Sequence, residues 1–216
     1  MENVRTIFFD YDGTLHDSFN IYAPSFLKAY EYLVKEGFAN KREWKRTEIS
    51  YWLGFNPEEM WDNFIPQLPV KVKQFCNAMI SNNMKYLIEE GLVNLYEGAL
   101  ETLEYLKQQG YTMIFLSNCK IYYKESHNRL FNLDRYFTRM VSSEEFDYIP
   151  KYEILEKIKG DYPKEMVIVG DRFHDLEAGK KNNIYTIGCN YGYALQGELE
   201  QADMIIDDIN ELRNIL

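Results

Sequence analysis

Apolar and polar positions follow two different rhythms along this chain. Residues 4–9 (VRTIFF) are a short apolar run that stops at Asp10 and reads as a buried strand. From Phe19 to Gly91 the rhythm is helical. Phe26, Leu27, Tyr30, Leu33 and Val34 recur at helical spacing, with Gly37 as the stop. A second helix is expected over 42–53. Asn56-Pro57-Glu58-Glu59 opens a third, with Asn as cap, Pro at the first helical position and the Glu59 carboxylate three residues after the cap. Val72, Phe75, Met79, Tyr86 and Leu87 predict a fourth, long helix ended by Gly91.

From Leu92 onward, strands and helices alternate. Leu100, Leu103 and Leu106 give a helix closed by Gly110, and 111–116 (YTMIFL) is a strand. Helices are expected over 121–131, 152–159 and 174–182, and strands over 139–142, 166–169, 184–187 and 203–206. This alternation predicts the α/β class: a Rossmann-like parallel sheet with helices on both faces. One strand alone cannot stay ordered, so residues 4–9 must join that sheet. The expected organisation is a core of residues 1–17 and 92–216 carrying an inserted α-helical domain at 18–91. Trp44, Trp52, Met60, Trp61 and Phe64 are the expected core of the insert, and Lys41, Arg42, Lys45 and Arg46 a solvated helix face.

The 216 residues are 46% hydrophobic and 27% charged, which is ordinary globular usage. The 24 Lys and Arg against 34 Asp and Glu leave a net charge of −10, which argues against a nucleic-acid partner. A small anionic substrate stays possible if a metal or a local lysine offsets the field. Cys76, Cys119 and Cys189 are odd in number and show no CxxC spacing, so reduced thiols and a cytoplasmic location are expected. The apolar run before Asp10 is too short for a signal peptide, and no run approaches the roughly 20 residues that span a bilayer. No membrane partner is expected, and nothing in the sequence distinguishes a monomer from a homodimer. His16, His127 and His174 show no zinc spacing.

In sheets of this kind, ligands bind beyond the carboxyl ends of the strands. The first strand is followed by Asp10-Tyr11-Asp12-Gly13-Thr14, and YTMIFL by Ser117-Asn118. Lys151 precedes the 152–159 helix, and the strand MVIV is followed by Gly170-Asp171-Arg172-Phe173-His174-Asp175. Four segments thus deliver carboxylates, a hydroxyl and an ammonium to one edge. Carboxylates from two strand ends suit Mg²⁺, a hard ion that prefers oxygen ligands. A phosphate dianion meets several aspartates only if that metal and a lysine offset their charge. One carboxylate can attack phosphorus, and another, two residues on, can move the leaving-group proton. Gly13 lets the backbone turn and approach the phosphate closely.

These motifs, Asp-x-Asp-Gly-Thr-Leu-x-Asp-Ser at 10–18, Leu-Ser-Asn at 116–118, Lys151 and Val-Gly-Asp-Arg-x-x-Asp-x-x-Ala-Gly at 169–179, resemble those of the haloacid dehalogenase-like (HAD) hydrolase superfamily. The helical insert resembles the cap of its phosphoglycolate phosphatase-like branch. The resemblance covers essentially the whole chain. It implies that Asp10 is the nucleophile and a Mg²⁺ ligand, and that Asp12 is the general acid/base, with its carbonyl on the metal. It further implies that Ser117 and the Asn118 backbone hold phosphoryl oxygens, Lys151 offsets charge, Asp171 binds Mg²⁺, and Asp175 supports it. Tyr152 and Glu97 stand where that branch commonly has proline. Dehalogenating members lack the second aspartate, so Asp12 points to phosphoryl chemistry.

The expected function is therefore a Mg²⁺-dependent phosphatase of a small phosphorylated metabolite, working through an aspartyl-phosphate. Phosphoglycolate, a sugar phosphate, a nucleotide and pyrophosphate are all open as substrates. A phosphomutase or a phosphonate-cleaving relative is an alternative, the latter needing a Schiff-base lysine for which Lys28, Lys35, Lys41 and Lys45 are candidates. A non-catalytic phospho-accepting module resembling a response-regulator receiver is another. Lys120, Lys124 and Lys157 compete with Lys151 for its role. His16 either lines the entrance or packs, and residues 53–56 (LGFN) are expected to help select substrate.

Overall fold

A computed structural model describes residues 3–216; Met1 and Glu2, with which the expected core segment begins, lie outside the described residues. Six strands form one parallel sheet: β1 (Thr6–Phe9), β2 (Thr112–Ser117), β3 (Arg139–Ser142), β4 (Met166–Gly170), β5 (Tyr185–Cys189) and β6 (Met204–Ile206). Their spatial order is β3-β2-β1-β4-β5-β6. The chain therefore moves outward from β1 in one direction, returns, and moves outward in the other. The reversal lies between β1 and β4, paired from Thr6 opposite Met166 to Phe9 opposite Val169. An open α/β sheet forms its crevice at that point.

The central strands are continuous apolar runs because helices cover both faces. Ile7, Phe8, Phe9, Met113, Ile114, Phe115 and Val167 are fully buried. On one face Phe8, Ile114 and Ile168 pack with Ile154 and Leu155 of α7 (Lys151–Ile158) and Ala178 of α8 (Phe173–Asn182). Phe9 and Phe115 meet Phe137 edge to face, with centroids 6.1 and 5.8 Å apart. The remaining helices of this unit are α5 (Ala99–Gln108), α6 (Ile121–Phe131) and the short α9 (Leu212–Ile215).

The chain divides into two compact units, one running up to Asp17 and again over Leu95–Leu216, the other Ser18–Asn94. The second unit holds α1 (Phe19–Lys35), α2 (Arg46–Ser50), α3 (Pro57–Phe64) and α4 (Val70–Glu89). Within it Phe26, Tyr30 and Phe64 surround Trp44, and Met60 and Trp61 are buried. Ser25 Oγ donates to the Ile21 carbonyl at 2.6 Å and accepts from Asn83 Nδ2 at 3.0 Å, joining α1 to α4. The lysines and arginines at 41, 42, 45 and 46 are exposed, with Arg42 paired to Glu48 and lying 4.0 Å over the Trp44 ring. No helix among the described residues is long and apolar enough to cross a membrane.

Two expectations within this unit need correction. The helix expected over 42–53 is only α2, because Glu48 Oε2 accepts the Lys45 amide at 2.9 Å and starts the helix there. After Ser50 the chain continues as turns, reaching Gly54 at φ +92°. In α4 the buried face is Cys76, Ile80 and Ile88, while Phe75 and Tyr86 are exposed. The stripes 75/79/86 and 76/80/88 have nearly the same spacing, so periodicity alone cannot choose between them.

The start of α3 matches its sequence signature. Asn56 Oδ1 accepts the amides of Glu58 and Glu59, each at 3.0 Å, and Glu59 Oε2 accepts the Asn56 amide at 3.4 Å. Asn56→Ala leaves two N–H groups without their acceptor and is expected to cost about 1 kcal/mol. Urea unfolding should show the midpoint fall at an unchanged m-value, with Asn56→Asp recovering most of the loss.

Candidate active site

Asp10 follows β1 directly, and its amide still bonds the Val169 carbonyl of β4 at 2.9 Å. Asp171 follows β4, and Asp175 lies in the first turn of α8. The sheet's point of reversal therefore brings together two carboxylates that are far apart in sequence. Oxygens of Asp10, Asp171 and Asp175 lie within 4.8 Å of one another, all buried. Lys151, the first residue of α7, places Nζ 2.8 Å from Asp10 Oδ1 and 2.6 Å from Asp175 Oδ1. The start of α7 is tied to α8 by Asn182 Nδ2, which donates to the Tyr152 carbonyl at 2.9 Å.

The competing lysines lie elsewhere. Lys124 Nζ turns to the Met140 carbonyl and to Glu145 at 2.9 Å, Lys157 is exposed, and Lys120 sits half-buried ahead of α6. Ser117 is buried at the end of β2, opposite Ser142 of β3, and Asn118 follows it at the same sheet edge. Asp12 does not join the carboxylate group. Its Oδ1 takes bonds from His16 Nδ1 at 2.9 Å and Tyr123 Oη at 2.7 Å.

The electrostatics follow from burial. Three carboxylates against one ammonium leave an excess of two negative charges when all are ionised. Burial and then the Asp175 charge push Asp10 up to about 7, although Lys151 pulls the other way. Burial, with Asp10 and Asp175, pushes Asp171 well above the ordinary carboxylate value. Burial works against the Lys151 ammonium, but Asp10 and Asp175 outweigh it and hold it charged. Asp171 Oδ2 accepts the Tyr193 amide at 2.6 Å, whereas its Oδ1 is buried with no hydrogen-bond partner. A buried carboxylate oxygen without a donor, beside two more carboxylates and an unbalanced charge of −2, suits a divalent cation with oxygen ligands.

A family model for haloacid dehalogenase-like hydrolases matches residues 7–189. The chain belongs to that family. This haloacid dehalogenase-like hydrolase is 26% identical to pyrophosphatase PpaX of Bacillus mycoides (strain KBAB4), with 99% of this chain and 97% of the relative covered. Its fold matches the crystal structure of a predicted phosphoglycolate phosphatase from Haemophilus somnus 129pt with TM-score 0.77, at 23% identity, covering 98% of this chain and 97% of the other. It also matches CbbY from Rhodobacter sphaeroides in complex with phosphate with TM-score 0.78, at 20% identity, covering 97% and 96%.

Several contacts of this hydrolase join residues that no sequence motif links. The segment after β5 reaches back to the first motif, with Tyr191 Oη donating to the Thr14 carbonyl at 2.8 Å and Tyr193 Oη to Asp17 Oδ1 at 2.7 Å. Between them, a Cβ on Gly192 would overlap both Asp171 and the Gly13 carbonyl. Gly192 between two tyrosines just past an apolar strand was the available signal. Glu198 Oε1 accepts from Arg172 Nε at 2.9 Å and from the Phe173 amide at 2.7 Å, fixing the turn that carries Asp171. Tyr11 and His16 of the first motif pack ring against ring with Tyr123 and His127 of α6.

Two outcomes test this arrangement. Gly13 has φ +83°, and a Cβ there would overlap the Asp171 carboxylate. Gly13→Ala should destabilise the protein by about 2 kcal/mol, from the left-handed backbone plus displacement of Asp171, as read by chemical denaturation. His127 is fully buried, and burial, followed by the neighbouring His16, holds its imidazole down to about 3. A folded value below the unfolded one, near 6.5, means that stability present above 6.5 is lost as the pH falls. The slope is about 1.4 kcal/mol per pH unit for this group. His127→Gln should flatten the decline between pH 6.5 and 4.5 by one proton's worth, measured from urea midpoints across that range.

Proposed function

We propose that this protein is a Mg²⁺-dependent phosphatase that hydrolyses a small phosphomonoester through an aspartyl-phosphate on Asp10, with the helical unit as its cap. The observation that carries the reading is the buried Asp10 carboxylate, bonded to Lys151 beside the unpartnered Oδ1 of Asp171. Asp10 and Asp171 would hold the metal with the Asp12 carbonyl, and the bound ion supplies neutralisation of the phosphate charge. An Asp10 oxygen attacks phosphorus, and the ester P–O bond breaks as the leaving oxygen takes the Asp12 proton. Water then attacks the phosphorus, gives a proton to Asp12, and the Asp10 oxygen leaves. Lys151 offsets the charge on Asp10 and the phosphoryl group. Ser117 Oγ and the Asn118 amide bind phosphoryl oxygens, and Gly13 permits close backbone approach. Asp175 has both oxygens committed, to Lys151 and to the Arg172 amide at 3.1 Å, and so supports rather than ligates.

Family membership favours this reading over a receiver-like module. Lys28, Lys35, Lys41 and Lys45 are all exposed, which disfavours a desolvated Schiff-base lysine in the insert. Three free cysteines suit a reducing compartment, and we assign the protein to the cytoplasm. The pyrophosphatase relatives make pyrophosphate a second substrate to test beside the monoesters.

The test is phosphate release across a panel of sugar phosphates, phosphoglycolate, nucleotides and pyrophosphate. Release should require Mg²⁺, stop with chelator, and fall at least about a thousandfold in Asp10→Asn. Release that survives in Asp10→Asn, or that is indifferent to chelator, overturns the mechanism.

A further inference from the structure

Asp12 is held in an unusual way for a carboxylate that must handle a proton. Tyr123 Oη and His16 Nδ1 both bond Oδ1, at 2.7 and 2.9 Å, and neither touches Oδ2. Tyr123 Oη and His16 Nδ1 are themselves 3.2 Å apart. An ionised carboxylate oxygen can only accept, so its two contacts call for the Tyr123 hydroxyl hydrogen and the Nδ1–H tautomer of His16.

The donors cannot easily move. His16 is fully buried, its Nε2 has no partner, and it stacks on Tyr11 at 5.3 Å with 16° between the planes. His127 meets His16 edge to face at 4.6 Å and lies 4.2 Å from the Tyr123 ring, and its Nδ1 is 2.6 Å from Tyr11 Oη. The Asp12 side chain keeps 19% exposure while His16 keeps none, so the carboxylate can be reached while the donor that holds it cannot.

We propose that Tyr123 and His16 are positioning residues that clamp Asp12 through Oδ1 and so make Oδ2 the oxygen that exchanges the proton. The inference rests on the phosphatase reading. As the ester P–O bond breaks, its electron pair goes to the leaving oxygen, which takes the hydrogen from Oδ2. In the second half, water transfers a hydrogen to Oδ2 as its oxygen bonds phosphorus and the Asp10 O–P bond breaks. Two donors on one oxygen fix the carboxylate's rotation, so Oδ2 needs no search at the moment of transfer. They also occupy Oδ1, which therefore does not compete for the proton.

A purely structural role would weaken every reaction equally, whereas a clamp on the proton-carrying group acts only where the leaving group needs a proton. The test uses the full-length protein with Mg²⁺ and first-turnover rates on two substrates: glycerol phosphate, whose alkoxide must be protonated, and p-nitrophenyl phosphate, whose phenolate leaves without one. In Tyr123→Phe, alcohol release should fall about 10- to 100-fold, as expected for loss of one hydrogen bond to a charged group. The rate of the p-nitrophenolate burst and the Mg²⁺ Kd should stay within roughly twofold of wild type, a change too small to represent a lost bond. His16→Leu should behave like Tyr123→Phe. His16→Asn, whose amide nitrogen can replace Nδ1, should recover most of the rate. Equal losses on both substrates, or none on either, overturn the inference. If His16→Leu fails to fold, a crystal structure of Tyr123→Phe decides, and an Asp12 carboxylate unmoved there overturns it. A wild-type protein inactive on both substrates overturns the phosphatase reading and this inference together. An active wild type with an unaffected Tyr123→Phe overturns this inference alone.

Discussion

A single buried ammonium holds the edge of the sheet together. Lys151 lies between Asp10 and Asp175, and through them it joins the end of β1 to the first turn of α8. Buried carboxylates at this spacing repel one another and resist desolvation, and removing one partner of a buried ion pair typically costs 3–5 kcal/mol. The geometry is therefore supported on every side. Asn182 ties α7 to α8, Asp175 also receives the Arg172 amide, and Glu198 anchors the turn between β4 and α8. One ammonium does not balance three carboxylates, so the fold leaves a deficit of positive charge at the point where it concentrates oxygen.

Four aspartates in one small region behave differently because their neighbours divide their oxygens differently. Asp175 has both oxygens committed and so acts as a brace. Asp171 has Oδ2 taken by the Tyr193 amide and Oδ1 left bare and buried. Asp12 has Oδ1 doubly bonded, and burial, which would raise it, is outweighed by the His16 and Tyr123 hydrogen bonds, so it stays below the ordinary carboxylate value. Asp10, bonded to Lys151 but buried beside Asp175, is pushed the other way. On the proposed function, these identical side chains would serve as a brace, an open ligand, a clamped proton carrier and a nucleophile.

Much of this is legible before folding because the relevant signals are local. Apolar runs followed by Asp10, Ser117 and Asp171 mark strands whose carboxyl ends carry polar side chains, and a parallel sheet gathers those ends at one edge. Asn56-Pro57-Glu58-Glu59 specifies its own helix start, since every hydrogen bond it needs lies within four residues. The unread features depend on partners distant in sequence. His16 finds Tyr123 across 107 residues, and Tyr193 finds Asp171 by backbone amide, which no side-chain motif advertises. The buried face of α4 is set by its packing against α1, and two stripes of similar composition compete for it. The Lys151 position was only partly legible, because three nearby lysines differ from it in fold geometry and not in sequence character.

The central place of β1 has a consequence for biosynthesis. This strand lies between β2 and β4, yet it is made first, and Phe9 waits for Val169 before its second edge is covered. At ordinary translation speeds of about 5–20 residues per second, that interval is on the order of ten to thirty seconds. Through it, a sticky Ile7-Phe8-Phe9 ribbon trails from the ribosome while the helical segment behind it, rich in local contacts, can already collapse on itself. The nascent protein thus depends on whatever shields that ribbon, a holding chaperone or its own early hydrophobic cluster, until the second half of the sheet emerges.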